Sequence, residues 1–167
     1  MAIVKRVIRA LLLLLLLVFI VIQFFHPLPN SDGDESGTIA NVFPVSDTLQ
    51  AILKTSCYDC HSNHTNYPWY AKIQPVDWWL DHHVKEGKAE LNFSIFASYS
   101  PRRQYRKFEE IMEQVKADEM PVYAYTLPHP EAALDASQKE LLITWSSAMR
   151  DTLEQHHPMD SLVRKKK

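Results

Sequence analysis

Cys57-Tyr58-Asp59-Cys60-His61 constrains this chain more than any other feature. Its two cysteines are the only ones in 167 residues. They stand one helical turn apart, and a histidine follows the second directly. The spacing gathers two thiols and an imidazole on one short stretch of backbone. That set can grip a flat group at its edge and ligate its centre from beneath. C-x-x-C-H is the pattern of covalent haem attachment, in which each thiol adds to one vinyl group. Cys57 and Cys60 are then the attachment residues, and His61 is the proximal iron ligand. The cofactor expected is one haem c with its iron.

Two other readings of the pair are weaker. A plain disulfide or a thioredoxin-like redox pair is one of them. The redox pair opens a helix after a strand in an α/β pattern, and no segment here alternates like a strand. A zinc site needs four ligands. No second cysteine pair exists, and recruiting His64 or a later histidine gives poor spacing.

Composition narrows the field. The formal net charge is −2, which argues against nucleic acid as a partner. There are only three glycines, Gly33, Gly37 and Gly87, so phosphate-cradling glycine loops are absent. No repeat at solenoid period is present. Asn63-His64-Thr65 and Asn92-Phe93-Ser94 match the glycosylation sequon and read as chance matches.

Residues 1–25 look like a targeting segment. Lys5, Arg6 and Arg9 precede an apolar run over residues 10–22 that includes consecutive leucines at 11–17. With Val7, Ile8, Phe24 and Phe25 added, the stretch approaches the length of a transmembrane helix. A cleaved signal is the rival reading, but bulky Gln23-Phe24-Phe25-His26-Pro27 follows where small residues are needed. The expectation is an uncleaved single-pass anchor in a bacterial inner membrane, with the rest of the chain in the periplasm. Export agrees with the motif, because haem c is attached there in bacteria.

Residues 26–44 read as a linker rich in proline, glycine and acidic residues. Residues 45–153 form the domain. Residues 154–167 read as a polar, basic tail ending in Arg164-Lys165-Lys166-Lys167. Within the domain the period is helical. Ser46 or Asp47 caps a helix running to about Ser56 that delivers the chain into Cys57. A second helix is predicted from about Val76 to Glu86, stopped by Gly87 as C′ residue. A third runs from about Arg102 to Ala117, with Phe108, Ile111, Met112 and Val115 on one face. A fourth starts after Asp135 with Gln138 as its capping-box partner. Leu141, Leu142, Trp145, Ala148 and Met149 are its predicted buried stripe. The fold class expected is all-α: a small cytochrome c-like helical domain around one covalent haem, preceded by a single N-terminal transmembrane helix.

The sixth iron ligand is predicted from order along the chain. Met120-Pro121 follows the third helix and precedes the fourth. That order resembles class I cytochromes c, in which a Met-Pro loop carries the distal ligand, and makes Met120 the candidate beside His61. A thioether favours ferrous iron and raises the potential. His64, His82, His83 and His129 are the rivals, and a histidine pair would lower it. Arg102 and Arg103 are candidates for the haem propionates.

Several motifs in sequence carry a family resemblance. Ser56 to Asn63 is followed by Asn66-Tyr67-Pro68-Trp69-Tyr70, then Gly87 and Leu91-Asn92-Phe93-Ser94. Met120-Pro121, Tyr125, His129-Pro130 and Trp145 complete the set. Over about residues 47–149 the chain resembles the haem-binding domain family of c-type-cytochrome-like bacterial domains. The resemblance implies a single covalent haem in a helical domain and specifies no reaction. The function expected is single-electron transfer between periplasmic or membrane redox proteins, by a carrier and not an enzyme. The alternative is a haem-based sensor or weak peroxidase with an open sixth position. A haem-free thiol–disulfide protein is the remote third.

Overall fold

The computed structural model describes residues 1–31 and 33–163. Asp32 and the basic tail at 164–167 lie outside the described residues. Every regular element among those described is helical, and no strand occurs. The all-helical expectation therefore agrees with the structure.

The expected membrane helix does not. Helix α1 (Ala2–Ile22) forms, but no helix among the described residues is long and apolar enough to cross a membrane. Lys5, Arg6 and Arg9 lie within α1 itself. They leave an uninterrupted apolar run at residues 10–22. Thirteen residues give roughly 20 Å of helix at 1.5 Å per residue, against about 30 Å of hydrocarbon. The single-pass inner-membrane placement falls with the anchor.

The domain is built on α2 (Asp47–Ser56), α4 (Val76–Glu90), α5 (Pro101–Lys116) and α7 (Ala136–His156). Short turns α3 (Tyr58–His61), α6 (Tyr123–Thr126) and α8 (Met159–Leu162) join or flank them. Capping chemistry sets three of the starts. Ser46 Oγ accepts the Leu49 N–H, and Ser100 Oγ accepts the Arg103 N–H. Asp135 and Gln138 make the full capping box of α7.

Helices α5 and α7 pack along their length around Phe108, which meets Trp145 at 5.3 Å, Phe96 at 5.2 Å and Phe43 at 5.0 Å. Edge and tilted contacts of this kind add to the burial each ring brings. The Trp145 indole N–H donates to the Pro44 carbonyl at 2.9 Å. The buried stripe of α7 is Leu142, Trp145, Ser146, Met149 and Leu153. Ala148 is exposed, one position round from that stripe, so its predicted place in it is corrected.

The described residues of 26–44 lie on the domain. Ile39 and Phe43 are buried in its core. Asn30 donates to the Ser62 carbonyl and to Thr65 Oγ1, both at 2.9 Å, and its carbonyl accepts the Thr65 N–H at 2.9 Å. The Asn63 amide donates to the Asp34 carbonyl. The segment thus straps the loop that follows the cysteine motif. At the other end of the chain, Leu162 of α8 is buried, and α8 packs on α5.

Candidate functional site

Helix α2 ends at Cys57, whose N–H still bonds the Leu53 carbonyl, and the chain turns at once into α3. That break in direction presents the motif to a cleft of about 350 Å³. Leu53, Leu91, Phe93, Ile111, Val115, Leu134 and Leu142 give it apolar walls. Cys57, His61 and Met120 also line it. A pocket of this size, mostly apolar with a few converging polar groups, is the usual form of a cofactor site.

His61 is held rigidly. Its Nδ1 lies 2.9 Å from the Gly87 carbonyl oxygen and 3.0 Å from that of Leu91. Both partners only accept, so Nδ1 carries the proton and Nε2 keeps its lone pair free. This is the arrangement that orients a ligating imidazole. Burial is the main cause that lowers the His61 pKa from its usual value, so the ring is kept neutral and ready to donate.

Gly87 was predicted to end its helix as a C′ residue. Instead α4 continues to Glu90, and Gly87 lies inside it. A Cβ there would stand 2.6 Å from the Cys60 carbonyl oxygen. The glycine lets α4 lie against the motif backbone and bring its carbonyl under the His61 ring. The stop signal and the close-approach signal are the same residue, and only the packed structure separates them.

The two cysteines are not equivalent. Both are free thiols of intermediate exposure. Cys57 lines the main cleft, whereas Cys60 lines a second, much smaller cavity with Tyr67, Tyr70, Leu80, Val84 and Tyr125. Burial, then the neighbouring Cys60, pushes the Cys57 thiol up to about 12. Burial, then Asp59, pushes Cys60 up to about 11. Neither is a reactive thiolate at neutral pH, so a redox-active dithiol gains no support.

Met120 sits just beyond α5, where its N–H and that of Glu119 both reach the Gln114 carbonyl. It is 37% exposed. None of the rival histidines lines the cleft. His64 is exposed, His82 pairs with Glu86, and the His83 Nδ1 faces the Trp79 carbonyl. His129 lies between Tyr70, at 2.6 Å from its Nε2, and Glu131. The predicted propionate partners are also elsewhere. Arg102 bonds the Ser161 and Asp160 carbonyls, and Arg103 lies over the Tyr99 ring.

Sequence reasoning missed Lys107, Glu90 and Glu110, which line the cleft together. It also missed the frame behind the motif. The Tyr125 hydroxyl donates to Asp59 at 2.6 Å. Asn92 donates to Asn63 at 2.8 Å, and the Asn63 N–H donates to Ser94 Oγ. Asn63 and Asn92 are the two sequon asparagines, and both are buried.

The lining suits an iron porphyrin. The cleft has apolar walls, one thiol, one imidazole with an uncommitted nitrogen, and one thioether, and these residues fit the group. Among the described residues no cluster of three or more His, Cys, Asp or Glu side chains gathers to hold a metal ion by itself. The family model described as a haem-binding domain matches residues 17–148. No curated protein and no solved structure matches the chain.

Proposed function

The chain belongs to the haem-binding domain family, and from that premise we propose that it is a monohaem c-type cytochrome carrying single electrons between redox proteins. Cys57 and Cys60 would hold the haem covalently, and His61 and Met120 would ligate its iron. One observation carries the reading: Cys57, His61 and Met120 line the same apolar cleft, and none of the rival histidines does.

When bound, the haem supplies one-electron chemistry at iron. The chain's own residues set the conditions. Gly87 and Leu91 aim the His61 ring through Nδ1. The leucine, isoleucine and valine walls would give the haem an apolar seat. Met120 gives a soft donor that favours the ferrous state. For Cys60 the support is the motif alone, since its side chain lines the smaller cavity.

The half-exposed position of Met120 favours a second reading. A distal ligand that solvent reaches is more easily displaced, which suits a sensor or a weak peroxidase.

An optical spectrum of protein matured with haem-attachment machinery tests both. The expected result is a c-type spectrum, oxidised and reduced, and a pyridine complex whose haem stays with the polypeptide. A weak far-red Met–Fe(III) band is expected that disappears in Met120→Ala. Covalent haem without that band, binding carbon monoxide at neutral pH, would transfer the protein to the second reading. Absence of covalent haem would overturn the cytochrome assignment.

A further inference from the structure

Lys107 lies in the cleft wall with its side chain only 4% exposed. Its ammonium is 2.5 Å from Glu110 and 3.3 Å from Glu90. All three side chains line the cavity that His61 lines, and Lys107 is the only lysine or arginine among its lining residues. Glu90 is the last residue of α4, immediately before Leu91, whose carbonyl faces the His61 ring.

Burying an ammonium is costly unless it is paired, and apolar side chains of similar volume often serve stability as well or better. Leucine, isoleucine, valine and phenylalanine make up much of the rest of this wall. A methionine would fill the place of Lys107 without its charge. Arg106 Nε also reaches Glu110, at 3.2 Å, so two cations and two carboxylates balance in number, and Lys107 is the one buried member.

We propose that the Lys107–Glu90–Glu110 cluster sets the reduction potential of iron held at His61, with Lys107 as the positioning residue that keeps both carboxylates at the cleft wall. The inference rests on haem occupying this cleft. A ferric centre carries one more positive charge than a ferrous one. In a low-dielectric wall each carboxylate therefore favours the ferric state and lowers the potential, and each cation, Lys107 above all, raises it. Glu110, 40% exposed, is the stronger lever because solvent screens it less. Glu90, at 81%, is the weaker and more easily screened.

The experiment is an optical redox titration of the full-length haem protein and its variants at low and high salt. Glu110→Gln removes a negative charge and raises the potential. Lys107→Met removes the positive charge and lowers it. Glu90→Gln raises it slightly, and salt erases that shift more readily than the Glu110 shift. Glu109→Gln is the control: its carboxylate pairs with Arg150 and does not line the cleft. Potentials of Glu110→Gln and Lys107→Met that match wild type, or that move in the same direction, would overturn the assignment. If Lys107→Met does not fold, the sign of the Glu110→Gln shift alone decides. Wild-type protein with no haem spectrum would overturn the proposed function along with this one. A normal spectrum with unmoved potentials overturns this one alone.

Discussion

The Gly87 carbonyl accepts the His61 Nδ1–H bond at 2.9 Å, from a helix position that no larger residue can occupy without displacing Cys60. One residue thus couples the orientation of the His61 ring to the helix–motif contact. Gly87→Ala puts a methyl group against the Cys60 carbonyl, and overpacking of this kind costs about 1–3 kcal/mol. Urea denaturation of the haem-free protein measures it. An alanine variant as stable as wild type would show that the backbone yields easily and that the glycine has another purpose.

Cys57 and Cys60 differ in where they face, and single-serine variants read the difference. Cys60→Ser is expected to keep covalent haem through Cys57, which lines the cleft. Cys57→Ser is expected to lose most of it. Mass spectrometry of the intact chain and the pyridine haem spectrum give the answer. Equal losses in both variants would mean that the two thiols are equivalent in the loaded protein.

Asp59 lies between the cysteines and accepts the Tyr125 hydroxyl at 2.6 Å. Hydrogen bonds to charged groups contribute about 1.5–3 kcal/mol. Tyr125→Phe should cost an amount in that range. Asp59→Asn should cost less, because an amide oxygen still accepts. A double-mutant cycle from denaturation midpoints isolates the pair. Coupling near zero would show that the contact is incidental.

Haem-free protein should lose stability on both sides of neutrality. The His61 pKa is lowered in the fold, chiefly by burial, so its contribution is present above about pH 6.5 and is lost as pH falls through the lower folded value. The thiols shift upward, to about 12 for Cys57 and about 11 for Cys60. Their contribution is present below about pH 9 and is lost as pH rises through those values. Thermal melting of wild type, His61→Phe and Cys57→Ser across pH resolves the two limbs. A His61→Phe variant with an unchanged acid limb would assign that limb to other groups.

Legibility in the sequence followed how local each signal is. Ser46, Asp135 and Gln138 act within one turn of their own helices, and their starts were readable from residue order. Phe108 and Val115 are buried at the predicted helical spacing. Gly87 was misread because a helix stop and a tight crossing both call for glycine, and the Cys60 backbone that decides between them is far away in sequence. Ile39 and Phe43 stand singly among turn formers, without a period to mark them as core. Lys107 looks like any solvated lysine on an amphipathic helix until α4 sets Glu90 beside it. The membrane expectation weighed leucine content and gave too little weight to three cations inside the same helix.

The strap and α4 together have a mechanical meaning. Gln74 exchanges two hydrogen bonds with Gln23 and donates a third to the Phe25 carbonyl, which also takes the Trp78 indole N–H. His26 bonds Asp77 at 2.6 Å. These contacts fasten the end of α1 to the start of α4. The far end of α4, about 20 Å along the rod, carries the two carbonyls under His61. The end of α1 and the His61 imidazole are thus tied to opposite ends of one helix.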